Sequence, residues 1–198
     1  MQARSEETRQ HILEAASRLF SQAGYNATGV AEICQAAGVS KGAFYHHFPS
    51  KQAVFLALLE GWLHQIDTGF AAVHRSSASI SESILQMAEL AGSILQSEQD
   101  QLALFLEFWL QAKRDPAIWQ ASIAPYRRYQ TYFAEIIQEG ITRGEFQAVN
   151  PIQAGRALVS LALGVLMQAL FDPHGADWQA EITNTVHLYL NGISRSNE

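Results

Sequence analysis

ATGVAEICQAAGVSKGAFYHHFPSK, residues Ala27 to Lys51, is the stretch whose reading decides the fold. Val30, Ile33, Cys34 and Ala37 recur at i, i+3, i+4 and i+7, the spacing of one face of a short helix. Gly38 can take the left-handed conformation that ends such a helix, and Val39 plugs the corner. Ser40 then caps a second short helix through His46. Two short helices held at a fixed angle by a glycine turn make a helix-turn-helix. Phe44 faces the core of this unit. Lys41, Gly42, Tyr45 and His46 are left outside. Lys41 and His46 can donate to phosphates or base edges, Gly42 lets the backbone approach a groove, and Tyr45 ends in a hydroxyl.

Working outward, helical spacing of Ile12, Ala16, Leu19, Phe20 and Ala23 predicts a first helix over 5–23, stopped by Gly24. Downstream, Pro49-Ser50 precedes a pattern unbroken to Arg75, with Val54, Leu58, Trp62, Ile66, Phe70 and Val73 on one side. Ser79-x-x-Glu82 reads as a capping box opening a fifth helix to about Ser97. A sixth is expected over 101–114. Asp115-Pro116 and Asn150-Pro151 each pair a cap with proline at the first helical position. They open a seventh helix, to about Arg143 with Pro125 inside, and an eighth ending before Asp172. A ninth runs over about 177–191. The expected fold is all-α with nine helices in two domains. The expected division is a head over residues 1–49, which carries the helix-turn-helix, and a second helical domain over 50–198.

Residues 8–55 resemble the TetR family of bacterial transcription regulators. The resemblance rests on Thr28, Ile33, Ala37, Gly38, Val39, Ser40, Lys41, Gly42, Tyr45, Phe48 and Lys51. It implies phosphate contacts from Thr28, Tyr45 and Lys51 and groove contacts from Ser40 through His46. Two positions depart from the family habit: Gly29 replaces a hydroxyl residue, and His47 replaces an aromatic hydroxyl. Beyond residue 55 the resemblance rests on chain length and helix count. It implies a homodimer on a palindromic operator, released by a small molecule, with repression as the usual outcome.

Charge distribution permits this reading. The 198-residue chain carries a net charge of −6. In residues 1–55, Arg4, Arg9, Arg18, Lys41 and Lys51 oppose Glu6, Glu7, Glu14 and Glu32, a balance of +1. The acidity therefore lies outside the segment placed on DNA. One cysteine, Cys34, excludes an internal disulfide and a cysteine-based zinc site. The polar N-terminus lacks the apolar core of a signal peptide, and the longest uncharged apolar run, Ala157–Phe171, is shorter than a spanning helix. A cytoplasmic protein without membrane association is expected.

The second half reads as sensor and dimer. Phe105, Phe108 and Trp109, with Trp62, Ile66, Tyr126 and Tyr129, suit a cavity for an apolar or aromatic effector. An aromatic core without a cavity satisfies the same pattern. Glu107 is the lone charge in Leu102–Leu110, open to a cationic ligand, to Arg127 or Arg128, or to a wet edge. Leu158, Leu161, Val165, Ile182, Val186 and Leu190 on helices eight and nine suggest a two-fold interface. No cofactor or metal is expected, because no Glu-x-x-His pair or phosphate loop occurs. Two other readings stand: an all-α enzyme, and a small-molecule-binding helical dimer that has lost DNA binding.

Overall fold

The computed structural model describes residues 2–97, 99–113 and 115–194, and the side chains of 5–95, 103–109, 112–113, 115–116 and 118–194. Among these residues there are nine α-helices, and the one β-bridge is isolated, between Phe146 and Ser194. The helices are α1 (Gln2–Ala23), α2 (Val30–Ala37), α3 (Lys41–His47), α4 (Lys51–Ser76), α5 (Ile80–Ser97), α6 (Gln99–Ala112), α7 (Pro116–Thr142), α8 (Pro151–Phe171) and α9 (Trp178–Ile193). The expected end of helix six at Arg114, and the side chains of Leu102 and Leu110, lie outside the described residues.

The helix ends follow their capping chemistry. Ser40, Asn150 and Asp177 accept from the backbone N–H three residues on, at 3.1 Å in each case. Gly24 (φ 84°) and Gly38 (φ 67°) adopt the left-handed conformation that side chains avoid, ending α1 and α2. At α5 the capping box is shifted by one residue. Ser79 Oγ accepts from Glu82 N, while the Glu82 carboxylate takes Ala78 N rather than Ser79 N. The first helix begins at Gln2, about one turn before the expected start at residue 5.

The chain divides into two compact units, each interrupted in sequence. The first comprises Met1–His64 and Asp100–Ser122, the second Gln65–Gln99 and Ile123–Glu198. This packing division is distinct from the functional one drawn at residue 49, because α4 and α7 each run from one unit into the other.

In the first unit α1 packs on α2 and α3 around Ile12, Ala16, Phe20, Ile33, Phe44 and Val54, all essentially inaccessible. In the second, α9 packs on α5 and α8, over a core that includes Phe70, Ile84, Met87, Ile137, Phe146, Leu158 and Val186. Gly155 sets the spacing of α8 from α7: a β-carbon there would lie 2.6 Å from the backbone nitrogen of Ala134.

By length and composition α8 is apolar enough to cross a membrane, although a third of its most apolar window is buried. The expectation of too short a run counted from Ala157. Arg156 is the one charge in a helix of 21 residues.

Candidate nucleic-acid interface and sensor residues

The second helix of the turn positions the exposed group. Phe44 is fully buried, and its ring anchors α3 while Tyr45 packs edge-on against it at 5.3 Å. Ser40, Lys41, Gly42, Tyr45 and His46 are all exposed, Tyr45 at 54%. Lys41 with Tyr45, and Gly42 with His46, are four apart and project from neighbouring strips of one helix surface. This is the cationic and hydroxyl-bearing face expected from the sequence.

Two residues expected on that face are engaged inside the head. Thr28 is 2% exposed, and its hydroxyl donates to Gly24 O at 2.9 Å, with Leu19 O at 3.3 Å. Lys51 Nζ donates to Tyr25 O at 2.7 Å and Thr28 O at 2.8 Å, and lies 4.2 Å from the Tyr25 ring centroid. Burial lowers the Lys51 pKa, while Glu107 and then Glu32 pull it back up. Both side chains thus bind carbonyls around the loop between α1 and α2.

Glu107 grips the same loop from α6. Its carboxylate accepts from Tyr25 N at 3.1 Å and Asn26 N at 3.0 Å. The loop after Gly24 turns these two N–H groups toward the carboxylate. The segment 24–28 is therefore held by a carboxylate on its amides and an ammonium on its carbonyls.

The aromatics around Glu107 form a packed cluster. Phe108 stacks on Phe55 at 3.9 Å and meets Tyr25 edge-on at 5.1 Å; Phe105 contacts Phe55 and, at 4.8 Å, Trp62. Trp109 Nε1 donates to Ser122 O at 3.3 Å. Of these predicted ligand residues Phe108 is buried, while Trp62, Phe105 and Trp109 are half-buried. Ile66 packs against the core of the second unit, and Tyr126 is half-buried.

A cavity of about 140 Å³ lies in the second unit, lined by Asp67, Phe70, Arg128, Tyr129 and Tyr132. Of the expected ligand residues it contains Tyr129. Arg128 Nη2 pairs with Asp67 at 2.7 Å, and Tyr129 donates its hydroxyl to Asp67 at 2.8 Å. Burial first, then the Asp67 hydrogen bond, raises the Tyr129 pKa. Asp67 was the missed residue. Its signal was a carboxylate next to Ile66 and three residues from Phe70 on α4.

A capped recognition helix with an exposed basic and hydroxyl surface, joined to a helical second unit, defines a helix-turn-helix transcription regulator. Residues 12–58 match the family model for bacterial regulatory proteins of the tetR family, and residues 82–193 match the C-terminal region of BetI-type transcriptional repressors. The chain belongs to the TetR family. It is 28% identical over 196 residues to YfiR, an uncharacterised helix-turn-helix regulator of Bacillus subtilis, covering 94% of this chain and 92% of that one. Over 56 residues, 28% of this chain and 26% of the other, it is 52% identical to the regulator AcrR of Shigella flexneri. A transcriptional regulator from Saccharomonospora viridis, solved in complex with choline, has the same fold. The TM-score is 0.81 at 23% identity, covering 96% of this chain and 100% of that one. Family membership makes the chain a DNA-binding transcription regulator.

Proposed function

We propose that the chain acts as a homodimer that represses from a palindromic operator and releases it when a small molecule occupies the second unit. The observation that carries this reading is the single exposed surface formed by Ser40, Lys41, Gly42, Tyr45 and His46. In a two-fold dimer, two such helices address successive major grooves about 34–36 Å apart. Ile152 and Leu161 of α8 and Leu188 of α9, all exposed apolar residues, support the dimer through these two helices. The choline complex of the structural neighbour supports a small-molecule effector.

Helix α4 is the covalent route between the two events. It carries Lys51, which pins the α1–α2 loop, and Asp67 and Phe70, which line the cavity about 24 Å further along at 1.5 Å per residue. An effector that favours a different setting of this helix opposes DNA binding through a shared coupling energy of about 1–3 kcal/mol.

We take the chain to be cytoplasmic, where its operator lies, and not an enzyme. A hydroxyl–imidazole–carboxylate row does exist, with His74 Nδ1 3.1 Å from Ser83 Oγ and Nε2 3.2 Å from Glu139. Ser83 is fully buried, so the row knits α4, α5 and α7 together and offers no accessible nucleophile.

The test is binding of DNA upstream of the chain's own gene, followed by gel shift across a salt series. Lys41→Ala is expected to weaken binding and to reduce the salt slope by about one unit, the signature of one lost phosphate contact. An unchanged slope would remove Lys41 from the interface, and absence of any retarded complex would leave the dimer-without-DNA reading.

A further inference from the structure

Helix α3 ends in two adjacent imidazoles, His46 and His47, with ring centroids 5.2 Å apart and planes at 78°. His46 is exposed, on the strip of α3 that also carries Gly42, and His47 is half-buried. Among the described residues neither ring is held by a hydrogen bond or an ion pair. The elements packed on α3 bring other charges with partners of their own. Arg9 of α1 lies 5.4 Å from the Phe48 ring centroid and pairs with Glu6 at 3.5 Å. Glu32 of α2 is taken by the Gly29 amide, and the remaining charge on α3 itself is Lys41. The head therefore offers a charged imidazole no counter-ion.

A phosphate would supply one. Histidine is the side chain whose ordinary charge change falls between pH 5 and 8. An anion within about 4–6 Å of an imidazole favours its charged form. Protonation and contact with a duplex then strengthen one another, because linkage is reciprocal. The neighbouring ring limits how many protons enter. Two imidazolium rings at 5.2 Å repel, whereas one can set its positive edge against the face of a neutral partner. His46 is the exposed member of the pair, so it is the one that can reach a phosphate.

We propose that DNA binding takes up a proton at His46 in each head, with His47 as the neutral ring beside it, so that operator affinity rises with acidity. The proposal rests on the reading that α3 faces DNA, and it adds a condition that regulates that contact.

Fluorescence anisotropy of a labelled duplex, taken from upstream of the chain's own gene, tests it at fixed ionic strength. The full chain is expected to bind at least about fivefold more tightly at about pH 6 than at about pH 7.5, two heads each taking up a proton. Its salt slope is expected to be steeper at the lower pH, by up to about one unit per head, as a further phosphate contact becomes charged. His46→Gln keeps a neutral hydrogen-bonding side chain. It is expected to bind within about twofold at the two pH values, with equal salt slopes, whereas His47→Gln keeps the pH dependence. Binding heats in buffers of different ionisation enthalpy give the proton count directly, and a net uptake by the parent is expected near neutral pH. A pH dependence in His46→Gln equal to the parent's would overturn the proposal, as would one lost in His47→Gln alone, or a parent that takes up no proton. DNA bound equally well at both pH values sinks the proton link and leaves the DNA reading of α3 standing. If no complex forms at either pH, that reading fails and the proton link falls with it.

Discussion

Glu107 and Lys51 show how much a single side chain's partner matters. Each satisfies backbone groups of the loop that leads into the DNA-reading helices, at 2.7–3.1 Å. Replacing Glu107 by alanine leaves the amide of the buried Tyr25 without its acceptor, a loss of about 1–3 kcal/mol. A lower denaturation midpoint with an unchanged m-value is expected, and Glu107→Gln should recover part of it. Lys51→Ala is expected to weaken DNA binding while leaving the salt slope of the parent, in contrast to Lys41→Ala, because it removes a loop clamp and not a phosphate contact. A slope reduced by one unit would return Lys51 to the DNA. Tyr25 adds a pH signature. Its hydroxyl is buried without a partner among the described residues, and burial, then Glu107, pushes its pKa up to about 12. A raised acid favours folding below its ordinary value of 10.0, and that contribution is lost as pH climbs toward 12. Lys51 acts oppositely: its depressed pKa is a cost to the folded state at neutral pH that alkali relieves. Tyr25→Phe is therefore expected to match or exceed the parent's stability at pH 7 and to flatten the decline between pH 10 and 12. A steeper decline in that variant would contradict the assignment.

At the scale of elements, the two helices of the turn are unequally capped. Ser40 caps α3 through its hydroxyl, whereas Gly29, at the start of α2, has no side chain to offer. Glu32 supplies the other half alone, accepting from Gly29 N at 2.7 Å. Gly29 has ordinary extended dihedrals (φ −98°, ψ 157°), and a β-carbon there would meet Glu32 at an ordinary 3.5 Å. Gly29→Ser is thus expected to complete the reciprocal cap and raise the stability of the first unit by a few tenths of a kcal/mol. Hydrogen exchange of the α2 amides is the sensitive measurement. Slower exchange supports the account, and faster exchange contradicts it. These caps were legible in advance because a cap is a matter of three or four consecutive residues. The shifted box at Ser79 shows the limit, since which of two adjacent amides Glu82 takes is settled by the path of the chain entering α5.

For the whole molecule, assembly is the open energetic term. Phe171 at the end of α8 and Leu188 on α9 are 78% and 73% exposed, large apolar surfaces for a single chain to leave in water. A two-fold partner covering α8 and α9 would remove them from solvent. Leu188→Glu places a charge in that face and is expected to shift sedimentation from dimer to monomer, weakening operator binding with it. A variant that stays dimeric would move the interface elsewhere.

Local spacing was enough to determine the nine helices of the described residues, the caps at Ser40 and Asn150, the turn at Gly38 and the outward face of α3, because each depends on residues within about one helical turn. Only the tertiary structure decided the partners of Thr28, Lys51 and Glu107 and the place of the cavity. Lys51 meets carbonyls 26 and 23 residues away, and Glu107 meets amides 82 and 81 residues away. An ammonium donates to a backbone carbonyl as readily as to a phosphate, and a carboxylate accepts from an amide as readily as from a cationic ligand. The choice is made by whichever group folding brings within 3 Å.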